Sequence, residues 1–158
     1  MTVRPLRLED LPWIERIERQ GMPSPWSEAA LREEIGAANG FALVAACGET
    51  VCGYAFFRTI LPESELLHLV VAPEWRRRRV ATALLDQAVT GLAAQGCTVC
   101  FLEVRASNVV ALRLYARTGF VWTGTRKHYY SQPVEDALLL TRDIPPAGGK
   151  HHEDIAGY

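Results

Sequence analysis

The strongest constraint on the fold is the segment 66–104, which reads as a strand, a basic turn, a helix and a second strand. Residues 66–71 form an apolar, strand-like run. The apolar positions 81, 84, 85, 88, 89 and 92 then follow the helical repeat of i, i+3, i+4 and i+7. Gly96 ends this helix, and residues 98–104 are almost continuously apolar, which predicts a strand covered on both faces. Two strands joined by a helix predict a βαβ unit with adjacent parallel strands and a right-handed crossover.

The rest of the chain reads as further strands and helices around this unit. Strands are predicted at 3–8, 41–46, 51–61, 120–125 and 137–143, and helices at about 10–20, 27–39 and 108–117. Ser27, and either Ser107 or Asn108, are placed to cap the last two of these helices. Residues 62–64 are expected to form a turn and residues 127–136 a connecting segment. The order β-α-α-β-β-β-α-β-α-β-β predicts an α/β (α+β) protein, with helices on the faces of a mixed sheet.

Length and composition indicate one ordinary globular domain. The chain has 158 residues, of which 49% are hydrophobic and 22% charged. We expect a domain at 1–144 and a loosely held tail at 145–158. No apolar stretch approaches the roughly 18 residues that span a bilayer, and the first residues lack a signal-peptide pattern. The formal charge of −1 does not suit a protein that coats nucleic acid. We therefore expect a cytoplasmic monomer with no nucleic-acid or membrane partner.

The four cysteines form two close pairs in the sequence and raise the possibility of a zinc site. They are Cys47, Cys52, Cys97 and Cys100. Both pairs are flanked by apolar residues, and the second lies where a helix gives way to a strand. The four histidines are scattered without metal-ligand spacing. Reduced, packed thiols are therefore the favoured interpretation, and no metal is expected.

Four consecutive arginines at positions 76–79 occupy the turn before the amphipathic helix. Cations near a helix N-terminus oppose the macrodipole, at a cost of about 0.3–1 kcal/mol each. A bound anion would explain them, because first-turn N–H groups and guanidinium groups together bind a pyrophosphate well. The alternative is a solvated basic patch.

Glu103 is the only acid in the apolar run 98–104. Burial of a carboxylate without a partner is expensive, and it raises the pKa of the group towards the range of a useful general base. The alternative is an ion pair with Arg105, which lies two residues on and therefore on the same face of the strand.

Tyr115 and Asn108 belong to the helix predicted at 108–117. Tyr115 lies at helical spacing from Asn108, and this pattern alone favours a core aromatic, although the hydroxyl gives it a second possible role as an acid. Asn108, by the same standard, is a helix cap.

Together these residues resemble the GNAT family of acetyl-CoA-dependent N-acetyltransferases. The run Arg76-Arg77-Arg78-Arg79-Val80-Ala81 is similar to its Arg/Gln-x-x-Gly-x-Gly/Ala motif, and residues 108–120 (NVVALRLYARTGF) also match. The resemblance covers nearly all of residues 1–144. Within the family the chain looks most like the RimI group of ribosomal-protein-alanine N-acetyltransferases. This likeness rests on Pro25-Trp26-Ser27, on residues 102–108 (LEVRASN), and on Tyr129-Tyr130 followed by Glu135-Asp136-Ala137.

The resemblance implies the GNAT fold, a central mixed and mostly antiparallel sheet whose parallel strands at 66–71 and 98–104 splay apart. It also implies site residues. The pantetheine arm and thioester of acetyl-CoA would lie against the backbone of Leu69, Val70 and Val71. The pyrophosphate would be cradled by Arg77, Arg78, Arg79, Val80, Ala81 and Thr82, and Asn108 would contact the cofactor further along. Glu103 would be the general base and Tyr115 the general acid.

The resemblance further implies direct acetylation of the N-terminal α-amine of a protein, such as the N-terminal alanine of a small-subunit ribosomal protein. The acceptor would pass between residues 22–26 and residues 127–135. Two alternatives remain open. One is an acetyltransferase for another amine, such as a lysine side chain, a polyamine or a small molecule, and the other is a non-catalytic acetyl-CoA-binding regulatory module.

The chain departs from the family motif at Arg79, where the usual residue is glycine. A side chain there is costly if the turn requires a positive φ. We expect residue 79 to keep a negative φ and to point its guanidinium outward.

Overall fold

A computed structural model of the chain describes residues 1–148. Its strands are β1 (Thr2–Pro5), β2 (Gly40–Cys47), β3 (Thr50–Ile60), β4 (Glu63–Val71), β5 (Val99–Arg105), β6 (Val121–Tyr130) and β7 (Glu135–Asp143). Its helices are α1 (Leu11–Gly21), α2 (Glu28–Ile35), α3 (Val80–Ala94) and α4 (Val109–Arg117). Short 3₁₀ turns at Leu8–Asp10 and Pro73–Trp75 precede α1 and α3. The predicted order of strands and α-helices is confirmed.

All the strands belong to one sheet in the order β1-β2-β3-β4-β5-β7-β6. Each neighbouring pair is antiparallel except β4 and β5, which are parallel as predicted. Those two strands pair only where they begin, through Glu63 with Val99, Ser64 with Cys100 and Glu65 with Phe101. Both then continue, to Val71 and Arg105, without further pairing between them. The parallel strands therefore diverge and leave an opening in the middle of the sheet.

A β-bulge in β4 lies just beyond the last residue that pairs with β5. Phe57 of β3 pairs with Leu66 and Phe56 pairs with His68, so Leu67 is an extra residue in β4. Without it, Leu66 and Val70 would point to the same face of the sheet. In the structure they pack in different cores, because the bulge reverses the alternation. A bulge also bends and twists its strand, which helps β4 to turn away from β5.

The two faces of the sheet bury separate cores. The face covered by α3 and α4 buries a core that includes Phe57, Leu84, Leu92 and Leu102. The face covered by α1 and α2 buries a core that includes Ile14, Ile17, Leu31 and Phe56. The sheet is therefore sandwiched between two layers of helices, as the sequence predicts.

The start of α3 approaches the sheet closely because residue 53 has no side chain. A Cβ atom added to Gly53 would lie 2.9 Å from the backbone oxygen of Val70 and 3.1 Å from Cγ1 of Val80. Val80 is the first residue of α3 and is buried. Gly53 thus allows the N-terminus of α3 to lie beside the end of β4.

Both predicted helix caps are present in the structure. Ser27 Oγ accepts a hydrogen bond from the backbone N–H of Ala30, at 3.1 Å. Asn108, not Ser107, caps α4, and its Oδ1 accepts a hydrogen bond from the N–H of Ala111 at 3.2 Å. Gly119 follows α4 with a φ of +91°, which is the usual geometry of a glycine that ends a helix.

Several predicted boundaries were wrong. The second helix ends at Ile35 instead of residue 39, because Gly36 terminates it and a turn follows. Residues 63 and 64 belong to β4, so the turn predicted at 62–64 is shorter. The segment predicted as a loop at 127–136 is mostly strand, since β6 runs to Tyr130 and β7 begins at Glu135. These strands pair across bulges, and irregular register hides the strand periodicity.

The prediction that β5 is covered on both faces was also wrong. One face of β5 is buried, whereas Val99, Phe101, Glu103 and Arg105 on the other face are partly exposed. No helix among residues 1–148 is long and apolar enough to cross a membrane. The predicted tail at 145–158 falls outside the described residues from position 149 onward.

A partly buried ion pair joins β1 to the start of α1. The guanidinium of Arg4 donates two hydrogen bonds to the carboxylate of Asp10, each 2.8 Å long. The same carboxylate accepts a hydrogen bond of 2.8 Å from the backbone N–H of Arg7. The hydrogen bonds from Arg4 are the main reason that the pKa of Asp10 lies below its usual value.

We predict that Asp10→Asn destabilises the protein at pH 7 but not in acid. Because the pKa of Asp10 is lower in the folded than in the unfolded state, its stabilising effect is fully present above about pH 4. It is lost as the pH falls through the folded value. The variant should lose about 1–3 kcal/mol of unfolding free energy at pH 7, and the difference should shrink towards pH 3. Urea denaturation at both pH values measures it.

The matched control is Glu9→Gln, which alters an exposed neighbouring carboxylate and should change stability by less than about 0.5 kcal/mol. An equal loss from Asp10→Asn at both pH values would contradict the ion-pair interpretation.

Candidate active site

The opening between β4 and β5 exposes backbone groups of β4. In an antiparallel pair, alternate residues exchange hydrogen bonds with the partner strand, while the residues between them point their N–H and C=O groups away. Ala72, just after β4, donates a hydrogen bond to Cys52, at 2.8 Å. Val70 lies two residues before Ala72 and opposite Tyr54, so by this alternation its backbone also forms hydrogen bonds with β3. Leu69 and Val71 therefore direct their backbone N–H and C=O groups into the opening.

The arginine turn at 76–79 lies between the end of β4 and the start of α3. All four side chains are exposed. The guanidinium of Arg78 lies 5.0 Å from the ring centroid of Trp75, in a cation–π contact. The first turn of α3 carries no acidic residue. The turn is therefore a concentrated positive charge at the N-terminal end of a helix, where backbone N–H groups are free to meet an anion.

The prediction of a negative φ at Arg79 was wrong. Arg79 has a φ of +60° and a ψ of +24°, and Arg77 has a φ of +62°. Both residues therefore adopt the left-handed conformation that favours glycine, at a cost of about 1–2 kcal/mol each. Arg79 is the N-cap of α3, and the next residue, Val80, is buried, so the chain turns at Arg79 from an exposed position into the core. The side chain of Arg79 is exposed, as expected.

Glu103 lies on the partly exposed face of β5, where its side chain is 16% exposed. The predicted alternative, an ion pair with Arg105, was wrong. Glu103 Oε1 instead lies 3.0 Å from Nε of Arg126, which reaches across β7 from β6. Burial, and secondly the charge of Glu103, raise the pKa of Glu65 on β4. Glu103 thus lies in the part of β5 that no longer pairs with β4, and its charge acts on the neighbouring carboxyl group of Glu65.

Tyr115 lies on α4, in the core beneath α3 and α4, and is 9% exposed. Its ring meets that of Phe120 edge to face, with the ring centroids 5.5 Å apart. Burial raises the pKa of Tyr115, so its hydroxyl stays protonated over the physiological pH range. The prediction from the sequence pattern that Tyr115 is a core aromatic is therefore confirmed.

Glu103 and Tyr115 lie on opposite faces of the sheet. Leu102 and Val104 of β5 belong to the same core as Tyr115. Because alternate residues of a strand point to opposite faces, Glu103 points to the other face. The β4 backbone and Glu103 therefore border the opening, Tyr115 lies in the core on the opposite face of the sheet, and the arginine turn follows the end of β4.

Two segments flank the opening on the Glu103 face. We call residues 22–27, between α1 and α2, the first lip, and residues 131–134, between β6 and β7, the second lip. Arg105 braces the second lip. Its guanidinium donates hydrogen bonds to the backbone oxygens of Pro133, at 3.3 Å, and Ser131, at 3.4 Å. It also pairs with Glu135 at 3.4 Å and stacks over Tyr130 at 4.3 Å.

Sequence reasoning missed three polar residues that the structure places near the site. Arg126 lies between the strand predicted at 120–125 and the connecting segment predicted at 127–136, and Glu65 lies just before the predicted start of its strand. Glu18 could have been found, because it occupies the apolar face of α1 one turn after Ile14. A carboxylate at such a position needs partners.

The cysteines are free thiols. Cys52, Cys97 and Cys100 are buried, and burial raises the pKa of the Cys100 thiol to about 11. Thiols protonated in this way are poor nucleophiles and poor metal ligands. Within residues 1–148, no group of three or more His, Cys, Asp or Glu side chains could hold a metal ion.

Comparisons with known proteins match nearly the whole chain. The model of the Acetyltransferase (GNAT) family matches residues 8–120. The chain is 31% identical over 145 residues to the [ribosomal protein bS18]-alanine N-acetyltransferase of Salmonella typhimurium, covering 90% of this chain and 97% of that protein. It is 34% identical over 123 residues to the N-alpha-acetyltransferase RimI of Mycobacterium tuberculosis, covering 75% and 76%. The crystal structure of the ribosomal-protein-S18-alanine N-acetyltransferase from Escherichia coli matches with a TM-score of 0.85 at 29% identity, covering 94% of this chain and 97% of that one.

We predict that the stability of variants at position 79 depends on how well the substituted residue tolerates a positive φ. Glycine adopts the left-handed conformation without strain, whereas a β-branched residue there is an outlier. Arg79→Val should therefore be less stable than Arg79→Gly, by about 1–2 kcal/mol. Urea denaturation without ligand measures the difference.

The same pair of changes at Arg78 is the control, because Arg78 does not have a positive φ. There, glycine should confer no advantage over valine. If the two positions ranked the substitutions alike, the backbone argument would fail.

Proposed function

Because the chain belongs to the GNAT family of acetyltransferases, we propose that it acetylates the N-terminal α-amine of a protein, with acetyl-CoA as the donor. Membership confirms the family resemblance read from the sequence, and the chain is an acyltransferase of that family. The proposed acceptor is the N-terminal alanine of a small-subunit ribosomal protein, after the acceptor named for the Salmonella relative. Such an acceptor would place the reaction in the cytoplasm.

The observation that carries the proposal is the divergence of β4 and β5 after three paired residues. In the proposed site, Glu103 would approach this opening from one face of the sheet and Tyr115 from the other. An amine that enters on the Glu103 face can therefore meet a thioester held along β4. The leaving sulfur would depart on the Tyr115 face.

The residues around the opening suit acetyl-CoA. Leu69, Val70 and Val71 would run beside the pantetheine arm, with the outward N–H and C=O groups of Leu69 and Val71 as its hydrogen-bond partners. Arg77, Arg78 and Arg79 would meet the pyrophosphate together with the N–H groups of the first turn of α3, from Val80 to Thr82. Left-handed residues in a turn help to direct successive N–H groups into one anion-binding concavity. Oδ1 of Asn108 caps α4, which leaves the side-chain NH₂ group of this exposed residue for another partner. We propose that this group contacts the cofactor.

Glu103 would act as the general base. A peptide α-amine has a pKa of about 7.7–8.0, so much of it is protonated at neutral pH and must lose a proton before it can attack. Glu103 would accept that proton, directly or through a water molecule, while the amine nitrogen attacks the thioester carbonyl. The backbone N–H of Val71 would stabilise the negative charge that develops on the carbonyl oxygen. The acetyl group passes directly to the amine, so the buried cysteines are not needed as nucleophiles.

Tyr115 would act as the general acid. As the carbon–sulfur bond breaks, its hydroxyl would donate a proton to the departing thiolate. Burial keeps the hydroxyl protonated until that moment. The acid works from the core face, where bulk water is excluded.

We predict that Glu103→Gln lowers kcat/KM by about 10²–10⁴-fold, the usual contribution of a general base. The pH dependence of kcat/KM should then follow only the titration of the acceptor amine, near pH 8. Acetyl-CoA affinity should stay unchanged. Glu65→Gln is the matched control, because it removes a neighbouring carboxyl group and should leave kcat/KM close to that of the wild type. A wild-type rate for Glu103→Gln would refute the base assignment.

We predict that Tyr115→Phe folds normally and binds acetyl-CoA, but turns over about 10²-fold more slowly or worse. The change keeps the ring that packs on Phe120 and removes only the hydroxyl. Trp122→Phe is the control, because Trp122 is an exposed aromatic residue outside the proposed site, 68% exposed, and should keep full activity. Unchanged turnover of Tyr115→Phe would mean that Tyr115 serves only the core.

The acceptor class is tested by release of the CoA thiol. The panel contains a peptide with a free N-terminal alanine, the same peptide with a blocked N-terminus and one internal lysine, and a polyamine. Turnover of the free peptide alone supports the proposal. Turnover of the lysine peptide or the polyamine alone would favour the alternative of another amine. Tight CoA binding without turnover of any acceptor would favour a regulatory binding module.

A further inference from the structure

The first lip is attached to β4 by a carboxylate for which the proposed chemistry has no use. Glu18, on α1, is fully buried, with no exposed surface, among Leu11, Ile14 and Ile17. An ionised carboxylate in an apolar core is very costly unless hydrogen bonds compensate for its lost hydration. The position would be served more simply by a leucine if only packing mattered.

Three segments of the chain donate hydrogen bonds to this one carboxylate. The backbone N–H of Trp26, in the first lip, donates to Oε1 at 2.9 Å. His68 Nε2, on β4, lies 2.6 Å from Oε2, and the hydroxyl of Tyr54, on β3, donates to the same oxygen. Burial alone raises the pKa of Glu18, but the hydrogen bonds of His68, Tyr54 and Trp26 outweigh it, so the pKa is lowered. Glu18 is therefore held as a charged acceptor.

The same partners also hold the ring of Trp26. The imidazole of His68 stacks on the indole, with ring centroids 4.4 Å apart and planes 21° apart. The ring of Phe56 also stacks with the indole, with the ring centroids 6.1 Å apart. The first lip is thus fixed twice, through the backbone of Trp26 and through its ring.

The network meets β4 at a sensitive place. His68 follows the bulge residue Leu67 and directly precedes Leu69, whose backbone faces the opening. A lip attached to His68 keeps its position relative to the groups proposed to hold the thioester. The second lip, in contrast, is braced by Arg105 on β5. The acceptor groove therefore has one lip attached to each of the two strands that diverge.

We propose that Glu18 is a positioning residue for the acceptor, which fixes the first lip against β4 so that the acceptor amine enters at one angle. This inference rests on the proposed function, because the acceptor is taken to pass between the two lips. The partners of Glu18 leave the outward backbone groups of Leu69 and Val71 free. Glu18 would therefore not contact acetyl-CoA held along β4. Weakening the network should impair acceptor binding and leave donor binding intact.

The principal test is Glu18→Gln, which preserves shape and one acceptor oxygen but turns an amide N–H₂ towards groups that need an acceptor. The KM for the peptide acceptor should rise by about tenfold, the size of one lost hydrogen bond to a charged group. The KM for acetyl-CoA and kcat should stay within about twofold of wild type. Asp10→Asn is the matched control, because Asp10 is also a buried carboxylate but contacts neither lip. It should lower stability and leave both KM values unchanged.

Substitutions at His68 separate positioning from mere packing. His68→Leu fills the space but cannot donate, and should reproduce the rise in acceptor KM. His68→Gln can present an N–H near the place of Nε2, and should restore most of the wild-type value. If Glu18→Gln does not fold, Tyr54→Phe removes only one of the three donors, and should raise the acceptor KM by about two- to fivefold.

Hydrogen exchange tests the network without any acceptor. In Glu18→Gln the amide of Trp26 should exchange faster than in wild type, while the amides of β4 keep their protection. An unchanged exchange rate at Trp26, or equal changes in acceptor KM, donor KM and kcat, would overturn the inference. So would a rise in acceptor KM from Asp10→Asn. A wild-type enzyme that ignores N-terminal peptides would overturn the proposed acceptor instead, and the exchange experiment would still decide the role of Glu18.

Discussion

The short pairing of β4 with β5 is the constraint on which the rest of the structure depends. A sheet that paired along its full length would satisfy every backbone group and leave no room for a ligand between these strands. Here the ladder stops after three residues, and the bulge at Leu67 turns the remainder of β4 away. The peptide groups left over face the opening. The middle of the sheet therefore contains backbone N–H and C=O groups without a partner strand, and a ligand with polar groups of its own could form hydrogen bonds with them.

The helices stabilise this interrupted sheet from both sides. α3 and α4 cover one face and deliver the arginine turn and Tyr115, whereas α1 and α2 cover the other and deliver the first lip. Gly53 lets α3 start beside the end of β4, so the positive turn lies in line with the exposed backbone. Each side of the sheet thus has a separate task, and the opening is the place where the two sides meet.

The sequence predicted most of the architecture, because long elements with strong periodicity leave few alternatives. The βαβ unit, the order of strands and helices, and the caps at Ser27 and Asn108 were all predicted from local patterns. The failures came where a distant part of the chain decides the outcome. The partner of Glu103 is Arg126, two strands away, and no local spacing could indicate it. The positive φ of Arg79 belongs to a turn that contains no glycine to indicate it, and strand bulges concealed the true extent of β6 and β7. The Glu18 network was visible only as a charge at a core position.

The backbone and the side chain of Arg79 contribute differently to the turn. The backbone path is imposed by the fold, so the N–H groups keep their directions whichever residue stands there. The exposed guanidinium is then free to act at long range. Exposed ion pairs add little to affinity, but a cluster of like charges sets up a field that guides an oppositely charged molecule during diffusion. An arginine in the place of glycine therefore adds some backbone strain. In return, its charge would speed the association of an anion with the proposed site, and rising salt concentration would remove this effect.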